Sequence, residues 1–298
     1  MRENSKLTLS NLFSVEDMVC VVTGGGTGIG LMITQAFANN GARVYITSRR
    51  QDALEQAAQR WGSSLSHPKG RIVPIACDVT SKESIQHLVM EVGKHESHVD
   101  VLVNNAGYAG DELNTDKGDF SAEELSQELF SQEMEEWEQV YRTNVASYFF
   151  VTAAFIPLLS ASTRGEEGDK YRSTVINISS NAGLTRLAQK RFHYTASKAA
   201  TIQLSNLLAH EFRRSAVQIR VNNIAPGLFP SEMTTGDSNQ GNKSTIPTDS
   251  DRMKRNQVPA GRSGREEDIA QVAIMFAVNQ YLFGQTLAID GGWLLEHP

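Results

Sequence analysis

The feature that most constrains the fold of this chain is a glycine-rich turn between an apolar strand and a helix near the N-terminus. Met18-Val-Cys-Val-Val22 is an unbroken run of strand-forming residues, Thr23-Gly-Gly-Gly-Thr-Gly-Ile-Gly30 follows it directly, and residues 31–40 have the pattern of a helix. Glycines in this context let the backbone approach a pyrophosphate, which the amides and dipole of the helix N-terminus favour. Glycine clusters are often only loops, but this placement predicts a dinucleotide-binding turn, in a Gly-x-x-x-Gly-x-Gly variant of the generic fingerprint.

Strand and helix patterns alternate along the rest of the chain in the manner of βαβ units. The strands are continuous apolar runs, as expected of a parallel sheet covered on both faces. We therefore predict an α/β fold, a Rossmann-like doubly wound parallel sheet with about seven strands and helices on both faces. It is expected to form a single domain over residues 18–298, after an N-terminal extension over residues 1–17.

Three segments interrupt this alternation. Two of them, Tyr108 to Glu133 and Gly236 to Gln257, follow strand ends, where open α/β sheets place their ligands. We expect substrate loops near 108–133 and 228–258, with a merely solvated insertion as the alternative for the second. The third segment, Ser162 to Ser173, is rich in glycine and charge and is expected to be a surface loop.

Charge and composition exclude several classes of protein. The chain carries 28 Lys and Arg residues against 34 Asp and Glu residues, a net charge of −6, which argues against a nucleic-acid or anionic-membrane surface. Cys20 and Cys77 lie in or beside predicted buried strands, so we expect free buried thiols and no metal cluster. No stretch approaches the roughly 20 apolar residues of a membrane span, and residues 1–17 lack the apolar core of a signal peptide. These patterns predict a cytoplasmic protein.

Tyr194 and Lys198 stand four positions apart in a segment that reads as helix, so both side chains are expected on one helix face. An ammonium near a phenol stabilises the phenolate and lowers the phenol pKa from about 10 toward neutrality. The pair then serves as a general acid or base. Because such pairs also occur by chance on surface helices, its meaning depends on the motifs around it.

Several short motifs follow the glycine turn in sequence order. They are Asp78, Asn104-Asn-Ala-Gly107, Asn144, Ser179-Ser180, Tyr194 with Lys198, Pro226-Gly227 and Asp290-Gly-Gly292. Over residues 15–293 this series resembles the short-chain dehydrogenase/reductase superfamily in its single-domain form, and within it the 3-oxoacyl reductase and secondary-metabolite ketoreductase branches. The resemblance implies an oxidoreductase acting on CH-OH/C=O groups, which exchanges hydride between a nicotinamide cofactor and a small-molecule carbonyl substrate.

Matching of positions then implies a set of cofactor-binding residues. The residues after the third strand meet the adenine, and the Asn-Ala-Gly motif lines the ribose groove, although asparagines also form turns at strand ends. The segment from Pro226 to Ser231 holds the nicotinamide carboxamide, with serine in place of the usual threonine and Pro230 stiffening the path. The full set is Gly24, Thr27, Gly28, Ile29, Gly30, Ser48, Arg49, Arg50, Asp78, Val79, Asn105, Ala106, Gly107, Tyr194, Lys198, Pro226, Gly227, Leu228 and Ser231.

The end of the second predicted strand, at Thr47, decides the form of the cofactor. A carboxylate there would accept hydrogen bonds from the ribose 2′-hydroxyl of NAD, whereas an arginine pairs with the 2′-phosphate of NADP. No acidic residue follows until Asp52. We predict NADP(H), with Arg49 as the main phosphate ligand and Ser48 and Arg50 as helpers; solvated arginines at a helix start are the alternative.

The resemblance also implies a catalytic set. Tyr194 protonates the carbonyl oxygen, or deprotonates the alcohol in the reverse direction, and Lys198 lowers the phenol pKa and binds the nicotinamide ribose. Ser180 hydrogen-bonds the substrate oxygen as charge develops on it. Asn144, in a helix, helps to hold a water that relays protons to Lys198.

The choice between two adjacent serines needs an argument. The family commonly has its serine thirteen positions before the tyrosine, and that position here is Asn181. Ser180 instead stands three positions before Gly183, which is the family's local pattern. A one-residue insertion before the tyrosine reconciles the two counts, so we predict Ser180 as the catalytic serine and Ser179 as its structural neighbour.

The substrate and the assembly are predicted more coarsely. Two apolar helical segments, Asn144 to Leu159 and Tyr194 to Phe212, match helices that pair between subunits in the family, so a homodimer or homotetramer is expected, with packing inside one chain as the rival explanation. The side chains expected around the pocket are mostly aromatic and aliphatic, which favours a bulky, mostly apolar ketone. They are Tyr108, Leu184, Leu187, Phe192, Leu228, Phe229, Met233 and Trp293.

Two other functions remain open at this point. A non-catalytic NADPH-binding sensor or partner protein has the same fold, but such proteins usually lack at least one of the four catalytic residues, and all four occur here. An enzyme of this fold can also catalyse isomerisation, dehydration or a pericyclic step. The predicted cofactor, NADPH, is held in its reduced form in cells, which favours reduction as the working direction.

Overall fold

The computed structural model describes residues 2–115, 118–162 and 173–297. Its strands form a seven-stranded sheet of order β3-β2-β1-β4-β5-β6-β7 in which all neighbours run parallel. The strands are β1 (Val19–Thr23), β2 (Arg43–Ser48), β3 (Arg71–Ala76), β4 (Val101–Asn104), β5 (Ser173–Ile178), β6 (Ile219–Pro226) and β7 (Thr286–Ile289).

Helices connect the strands and cover both faces of the sheet. A π-helical turn at Arg142–Ala146 leads into the eighth helix, and a 3-10 turn at Asn181–Gly183 follows β5. The α-helices are α1 (Arg2–Ser5), α2 (Leu9–Leu12), α3 (Gly28–Asn39), α4 (Gln51–Gly62), α5 (Lys82–Gly93), α6 (Ala122–Phe130), α7 (Met134–Tyr141), α8 (Ser147–Ser160), α9 (Phe192–Phe212), α10 (Glu232–Thr235), α11 (Asp251–Asn256), α12 (Glu266–Val278) and α13 (Trp293–Glu296).

The core lies on the two faces of the sheet, because successive residues of a strand point to opposite sides. In β1, Cys20 and Val22 pack with α3, α4 and α12, whereas Val19 and Val21 pack with α5, α8 and α9. Both faces are therefore dry, which explains the continuous apolar strands. The predicted fold, a single-domain doubly wound parallel sheet of seven strands, is confirmed.

The strand order places the functional edge of the sheet. The chain runs outward from β1 through β2 to β3, returns to β4 on the other side of β1, and continues to β7. The neighbouring carboxyl ends of β1 and β4 therefore open onto a crevice, since their crossover helices leave in opposite directions. The predicted site residues follow these and the adjacent strand ends.

Arg220 is a fully buried cation in β6 that ties the last large helix to the sheet. Its Nη1 donates to the carbonyl oxygens of Phe276, Asn279 and Leu282 at 2.8, 3.0 and 3.2 Å, and its Nη2 donates to that of Ala277 at 2.8 Å. Carbonyls at a helix C-terminus lack intrahelical donors and favour a cation. Burial lowers the pKa of this guanidinium to about 10, which leaves it charged at neutral pH.

The interrupting segments contain structure of their own. The first holds α6, and the second holds α11. Apart from its two end residues, the expected surface loop between Ser162 and Ser173 lies outside the described residues. The N-terminal extension contains α1 and α2, whose described side chains are exposed.

Two further expectations concern thiols and membranes. Cys20 and Cys77 are buried thiols that form no disulfide, as predicted, and the described residues hold no group of side chains suited to a metal. One helical run among them, Met134–Ser160, is long and apolar enough to span a membrane by length and composition, where none was expected. Val151 and Phe155 of this run are buried against the sheet. A helix in a protein core can be as long and as apolar as a membrane span, and this run packs as a core helix does.

Candidate active site

Two clefts meet at the carboxyl edge of the sheet. A groove of about 530 Å³ runs along the ends of β1 to β5, and a cleft of about 620 Å³ lies beside it. Tyr194 and Met233 line both. The phenol of the predicted proton donor therefore stands where the two spaces join.

The glycine turn forms the floor of the groove because side chains are excluded there. Gly24 and Gly28 have φ of +65° and +52°, which favours glycine. A Cβ on Gly28 would lie 2.8 Å from Cβ of Ser231, on the opposite wall, and a Cβ on Gly30 would lie 2.1 Å from the carbonyl oxygen of Gly24. The first two glycines thus shape the groove, whereas Gly30 lets α3 close against the turn.

The end of β4 is fastened to the same turn. Thr23 Oγ1 accepts hydrogen bonds from the backbone amides of Asn105 and Ala106 at 2.9 and 3.1 Å. Asn105 Nδ2 donates to the carbonyl oxygens of Thr23 and Gly24 at 2.9 and 3.2 Å. Asn105 therefore stabilises the turn and also lines the groove. Both roles considered for this asparagine, turn former and groove residue, are present.

Three charged residues of the groove follow the ends of β2 and β3: Arg49, Arg50 and Asp78. Arg49 is exposed at its rim. Asp78 accepts hydrogen bonds from Thr80 at 2.7 and 2.9 Å; burial works against ionisation, but these bonds and the charge of Arg49 hold its pKa below the ordinary value. Arg50 is engaged elsewhere, since its Nη2 lies 2.6 Å from Glu232 Oε2 in α10. Of the two arginines, Arg49 is thus the one without an acidic partner at close range within the described residues.

Tyr194 and Lys198 lie on one face of α9, as predicted, but their electrostatics differ from the prediction. Lys198 is buried, and its Nζ donates to the carbonyl oxygen of Ile178 at 2.9 Å and lies 5.7 Å from the Tyr194 ring centroid. Burial lowers the pKa of Lys198 to about 7. Burial also raises the pKa of Tyr194, against the effect of a hydrogen bond from Ser180. Because a pKa of about 7 leaves many Lys198 side chains uncharged at neutral pH, Lys198 does not lower the phenol pKa of Tyr194 as expected.

The two adjacent serines point in different directions. Ser179 Oγ donates to the carbonyl oxygen of Ile224 at 3.2 Å and accepts from Asn223 Nδ2 at 2.8 Å, so it is part of the sheet. Ser180 lines the cleft together with Tyr194, and its effect on the phenol opposes the rise that burial causes in the Tyr194 pKa. Its Oγ also accepts from the amide of Ala182 at 3.1 Å. Of the two serines, Ser180 is therefore the one that shares the cleft with Tyr194.

Asn144 lies in the π-helical turn before α8 and is fully buried. Its Oδ1 accepts from the amide of Tyr108 at 2.8 Å, and its Nδ2 donates to the Tyr108 carbonyl oxygen at 2.8 Å and to Ser197 Oγ at 2.9 Å. A Cβ on Gly107 would lie 3.5 Å from Asn144 Oδ1 and 3.7 Å from Lys198 Nζ. Asn144 thus connects the end of β4 to α9, next to Lys198. One-turn π-bulges inside helices are frequent at functional sites.

Most of the predicted cofactor residues line the groove. Four do not: Gly30 and Pro226 line neither space, and Gly227 and Leu228 line the neighbouring cleft. The groove also includes residues that were not predicted as cofactor contacts. Thr47 and Ile178 could have been found, because both lie at predicted strand ends. The missed residues are Gly26, Thr47, Ala53, Cys77, Thr80, Tyr108, Gln139, Thr143, Ile178, Ser179, Glu232 and Met233.

The neighbouring cleft is more polar than expected. Of the eight apolar side chains predicted around it, four line it: Leu187, Leu228, Met233 and Trp293. Phe229 instead belongs to the core, Leu184 and Phe192 are exposed elsewhere, and Tyr108 lines the groove. The cleft also contains an ion pair in which Arg191 Nη2 lies 2.9 Å from Glu112 Oε1. The other polar residues lining the cleft are Thr115, Ser180, Asn181, Gln189, Lys190, Tyr194, Thr234 and His297.

Comparison with known proteins agrees with this geometry. Residues 18–242 match the family model described as short chain dehydrogenase. The short-chain dehydrogenase/reductase PhomF of Diaporthe leptostromiformis is 35% identical over 295 residues, covering 98% of this chain and 96% of the relative. The rhamnolipids biosynthesis 3-oxoacyl-[acyl-carrier-protein] reductase of Pseudomonas aeruginosa is 35% identical over 285 residues, covering 95% and 98%.

A solved structure gives the same result at the level of the fold. The Pseudomonas aeruginosa RhlG/NADP active-site complex superposes with a TM-score of 0.75 and 33% identity, covering 95% of this chain and 98% of that one. A doubly wound sheet with a glycine turn and a Tyr-Lys pair at one crevice defines a nucleotide-binding oxidoreductase. This chain belongs to the short-chain dehydrogenase/reductase family.

The family's nicotinamide cofactor fits the groove. The glycine turn leaves backbone amides open at the N-terminus of α3, where a pyrophosphate is favoured. The groove continues past Gly107 to Tyr194 and Lys198, so its far end reaches the proton donor. A cofactor bound along it would supply hydride chemistry next to the substrate cleft.

Proposed function

We propose that this protein is an NADPH-dependent ketoreductase that reduces a fairly bulky ketone with both apolar and polar parts, with Tyr194 as the proton donor. The observation that carries the proposal is the position of Tyr194 at the junction of the groove and the cleft. A carbonyl held there meets the cofactor from one side and the phenol from the other. The relatives named as 3-oxoacyl reductases support reduction of a ketone as the working direction.

In the proposed reaction, the chain's own residues handle the proton and the charge on oxygen. Ser180 and Tyr194 both line the cleft, and a carbonyl oxygen seated between their hydroxyls would accept a hydrogen bond from each. As negative charge develops on that oxygen, Tyr194 donates its proton and Ser180 stabilises the charge. The raised pKa of Tyr194 keeps the phenol protonated at neutral pH, which suits a proton donor in the direction of reduction.

Lys198 and Asn144 would return a proton to Tyr194 after each turnover. The pKa of Lys198 is lowered to about 7 by burial, which is close to the value at which an ammonium exchanges protons readily in neutral solution. Asn144 orders the backbone next to it through Tyr108. A bound cofactor ribose would give the Lys198 ammonium further partners.

The preference for NADPH rests on Arg49. Its guanidinium is exposed at the groove rim where β2 ends, and no carboxylate precedes Asp52 on that segment. Arg50 is paired with Glu232 at 2.6 Å, so it has to leave that partner before it can help. The Pseudomonas aeruginosa structure is an NADP complex, which supports the same choice.

We also propose that the protein is cytoplasmic and assembles as a homodimer or homotetramer through α8 and α9. Phe149, Phe150 and Leu207 on these helices are 44%, 37% and 55% exposed, and exposed apolar side chains mark protein contacts where they form one patch. Light scattering after size exclusion measures the number of subunits, and Phe149→Glu combined with Leu207→Glu should reduce it.

The function is tested by incubating the purified protein with NADPH and a panel of bulky ketones. Loss of the reduced-nicotinamide absorbance, with the matching alcohol identified as product, is the expected result, and Tyr194→Phe should abolish it. NADPH binding without turnover over a broad panel would contradict the proposal and favour a cofactor-binding sensor. A product formed without consumption of NADPH would instead indicate a non-redox reaction.

A further inference from the structure

His193, the residue directly before Tyr194, is a titratable side chain that the proposed reaction does not use. It is fully buried. Its ring meets Trp137 of α7 edge-on, with 5.9 Å between the centroids. Its Nδ1 accepts a hydrogen bond from the backbone amide of Tyr194 at 2.7 Å. The imidazole therefore contacts both a neighbouring helix and the backbone of the predicted proton donor.

The amide of Tyr194 needs such an acceptor. It belongs to the first turn of α9, which begins at Phe192, and the amides of a first turn have no acceptor within the helix. Arg191, at the N-cap, makes no side-chain capping bond. This amide is partly buried, and leaving such a donor without an acceptor is destabilising, so the imidazole of His193 holds the backbone of Tyr194 in one position.

The other side of the ring is enclosed by the start of the first substrate loop. Gly110 has φ of +66°, and a Cβ on it would lie 2.5 Å from His193 Nε2 and 2.7 Å from Glu136 Oε1. The loop backbone passes between the imidazole and the carboxylate only because Gly110 has no side chain. Nε2 has no hydrogen-bond partner among the described residues.

Glu136 connects this arrangement to the rest of the site. Its Oε1 accepts from the Tyr108 hydroxyl at 3.0 Å and from the amide of Asp111 at 3.0 Å. The backbone of Tyr108 is held at both its amide and its carbonyl by Asn144. The substrate loop, α7 and the first turn of α9 are therefore joined around a single imidazole.

We propose that His193 is a positioning residue for Tyr194: its neutral ring, held by Trp137, Gly110 and Glu136, fixes the first turn of α9 so that the phenol reaches into the substrate cleft. This inference rests on the proposed function, because it concerns the placement of its proton donor. Only a neutral ring with the proton on Nε2 offers Nδ1 as an acceptor. Protonation turns Nδ1 into a donor, which faces the Tyr194 amide and breaks the contact.

The ring is held in its neutral form by its surroundings. Burial is the main cause that lowers the pKa of His193, and the charge of Arg191 acts in the same direction, whereas Glu136 and Asp111 oppose it. Two further ionisable side chains lie near the ring. Tyr108 is hydrogen-bonded to Glu136, and Tyr194 is the next residue, whose amide donates to the ring. Because the active form is neutral, the contact is present at high pH and is lost as the pH falls below the lowered pKa.

Three variants test the inference. His193→Asn keeps a short side chain with an acceptor oxygen, His193→Leu keeps bulk without an acceptor, and Thr195→Val is a matched control in the same turn. The control removes a bond from Thr195 Oγ1 to the carbonyl oxygen of Ala188 at 3.1 Å and leaves the Tyr194 amide untouched. Thermal unfolding and near-ultraviolet circular dichroism establish that each variant is folded.

The expected result is a split between kcat and KM. His193→Leu should lower kcat about 10- to 100-fold, the cost of misplacing a reacting group by about 1 Å, with KM for NADPH within a few-fold. His193→Asn should recover most of this loss, and Thr195→Val should match the unmodified enzyme. The unmodified enzyme should lose kcat with a midpoint below the ordinary histidine pKa of about 6.5, and His193→Asn should lack this acid limb.

Other results would overturn the inference. Unchanged kcat in folded His193→Leu, or equal losses in the Leu and Asn variants, would leave the ring a packing element only, as would an acid limb that persists in His193→Asn. Failure of the proposed function is distinguishable, because the unmodified enzyme would then reduce no ketone of the panel, or Tyr194→Phe would retain the activity, whatever His193 does. If His193→Leu does not fold, the Asn variant and the acid limb of the unmodified enzyme still decide.

Discussion

The groove and the cleft meet at Tyr194 but are built in different ways. The groove is walled by the ends of β1 to β5 and by the glycine turn, whose positions the sheet dictates. The cleft is walled by loop residues near 109–115, 187–191 and 227–234 and by the C-terminal segment around Trp293 and His297. A site made from strand ends follows from local motifs, whereas a site made from distant loops does not.

The contrast extends to chemistry. Backbone and small side chains dominate the groove, as a cofactor with a constant shape requires. Ionic and polar side chains share the cleft with Leu187, Met233 and Trp293. Loops are also the elements in which sequence change is tolerated most easily. We therefore expect the groove to account for the reaction and the cleft for the choice of ketone.

The largest effect is expected at the junction. Tyr194→Phe removes the proton donor but keeps the ring, so kcat for the ketone should fall about 10²- to 10⁴-fold, while NADPH affinity changes little. Steady-state kinetics and a fluorescence titration of NADPH measure the two quantities. Tyr281→Phe, at a tyrosine that is 98% exposed, is the control. A small loss of kcat would break the assignment of both spaces to one reaction.

The next largest effect tests the groove alone. Arg49→Glu should raise KM for NADPH about 10- to 100-fold, because charged hydrogen bonds of about 1.5–3 kcal/mol are lost, and should leave KM for NADH nearly constant. Arg50→Ala should do less, since Arg50 is already paired with Glu232. Equal losses for the two cofactors would refute the phosphate site at Arg49.

A smaller effect tests the cleft alone. Leu187→Ala removes an apolar side chain from the cleft wall and should raise KM for a bulky ketone up to about tenfold, with no change for NADPH. Leu184→Ala is a close control, because Leu184 and Leu187 are 43% and 45% exposed and Leu184 lines neither space. If both variants behaved alike, the cleft would not be the ketone site.

The smallest effect tests the burial of Lys198 in the groove. Its pKa is about 7 in the folded chain and 10.5 ordinarily, so the unfolded chain binds more protons between these values and the free energy of unfolding rises with pH there. Compared with Lys198→Met, the unmodified protein without cofactor should therefore gain thermal stability from pH 7 to 10. Each kcal/mol corresponds to about 2–4 °C in Tm for a chain of about this size. Parallel pH profiles would contradict the lowered pKa.

The sequence was sufficient for the elements whose cause is local. The apolar run before the glycine turn, the Asn-Ala-Gly motif and the Tyr-Lys pair each predicted an element that the structure contains, within a few positions of its bounds. Ser180 was predicted from its distance to Gly183, and in the structure it lines the cleft together with Tyr194. The fold followed because continuous apolar strand segments alternate with helical segments along the chain.

Other features were decided only by contacts between distant segments. Glu232 reaches Arg50 across 182 positions, and the buried Arg220 finds its carbonyl partners more than 55 positions away. The raised pKa of Tyr194 and the lowered pKa of Lys198 follow from burial, which no spacing expresses. His193 is an unremarkable residue in the sequence and becomes a contact of Tyr194 only when α7 and Gly110 enclose it.

The chain by itself therefore determined the sheet, the groove and the residues that bring chemistry to it, because hydrogen-bonding periodicity and glycine geometry act over short stretches of chain. Only the tertiary structure decided that Arg50 pairs with Glu232, how burial shifts the pKa values of Tyr194 and Lys198, and what lines the cleft. Those answers depend on burial and on charges brought together by folding, and both are properties of the packed molecule rather than of neighbouring residues.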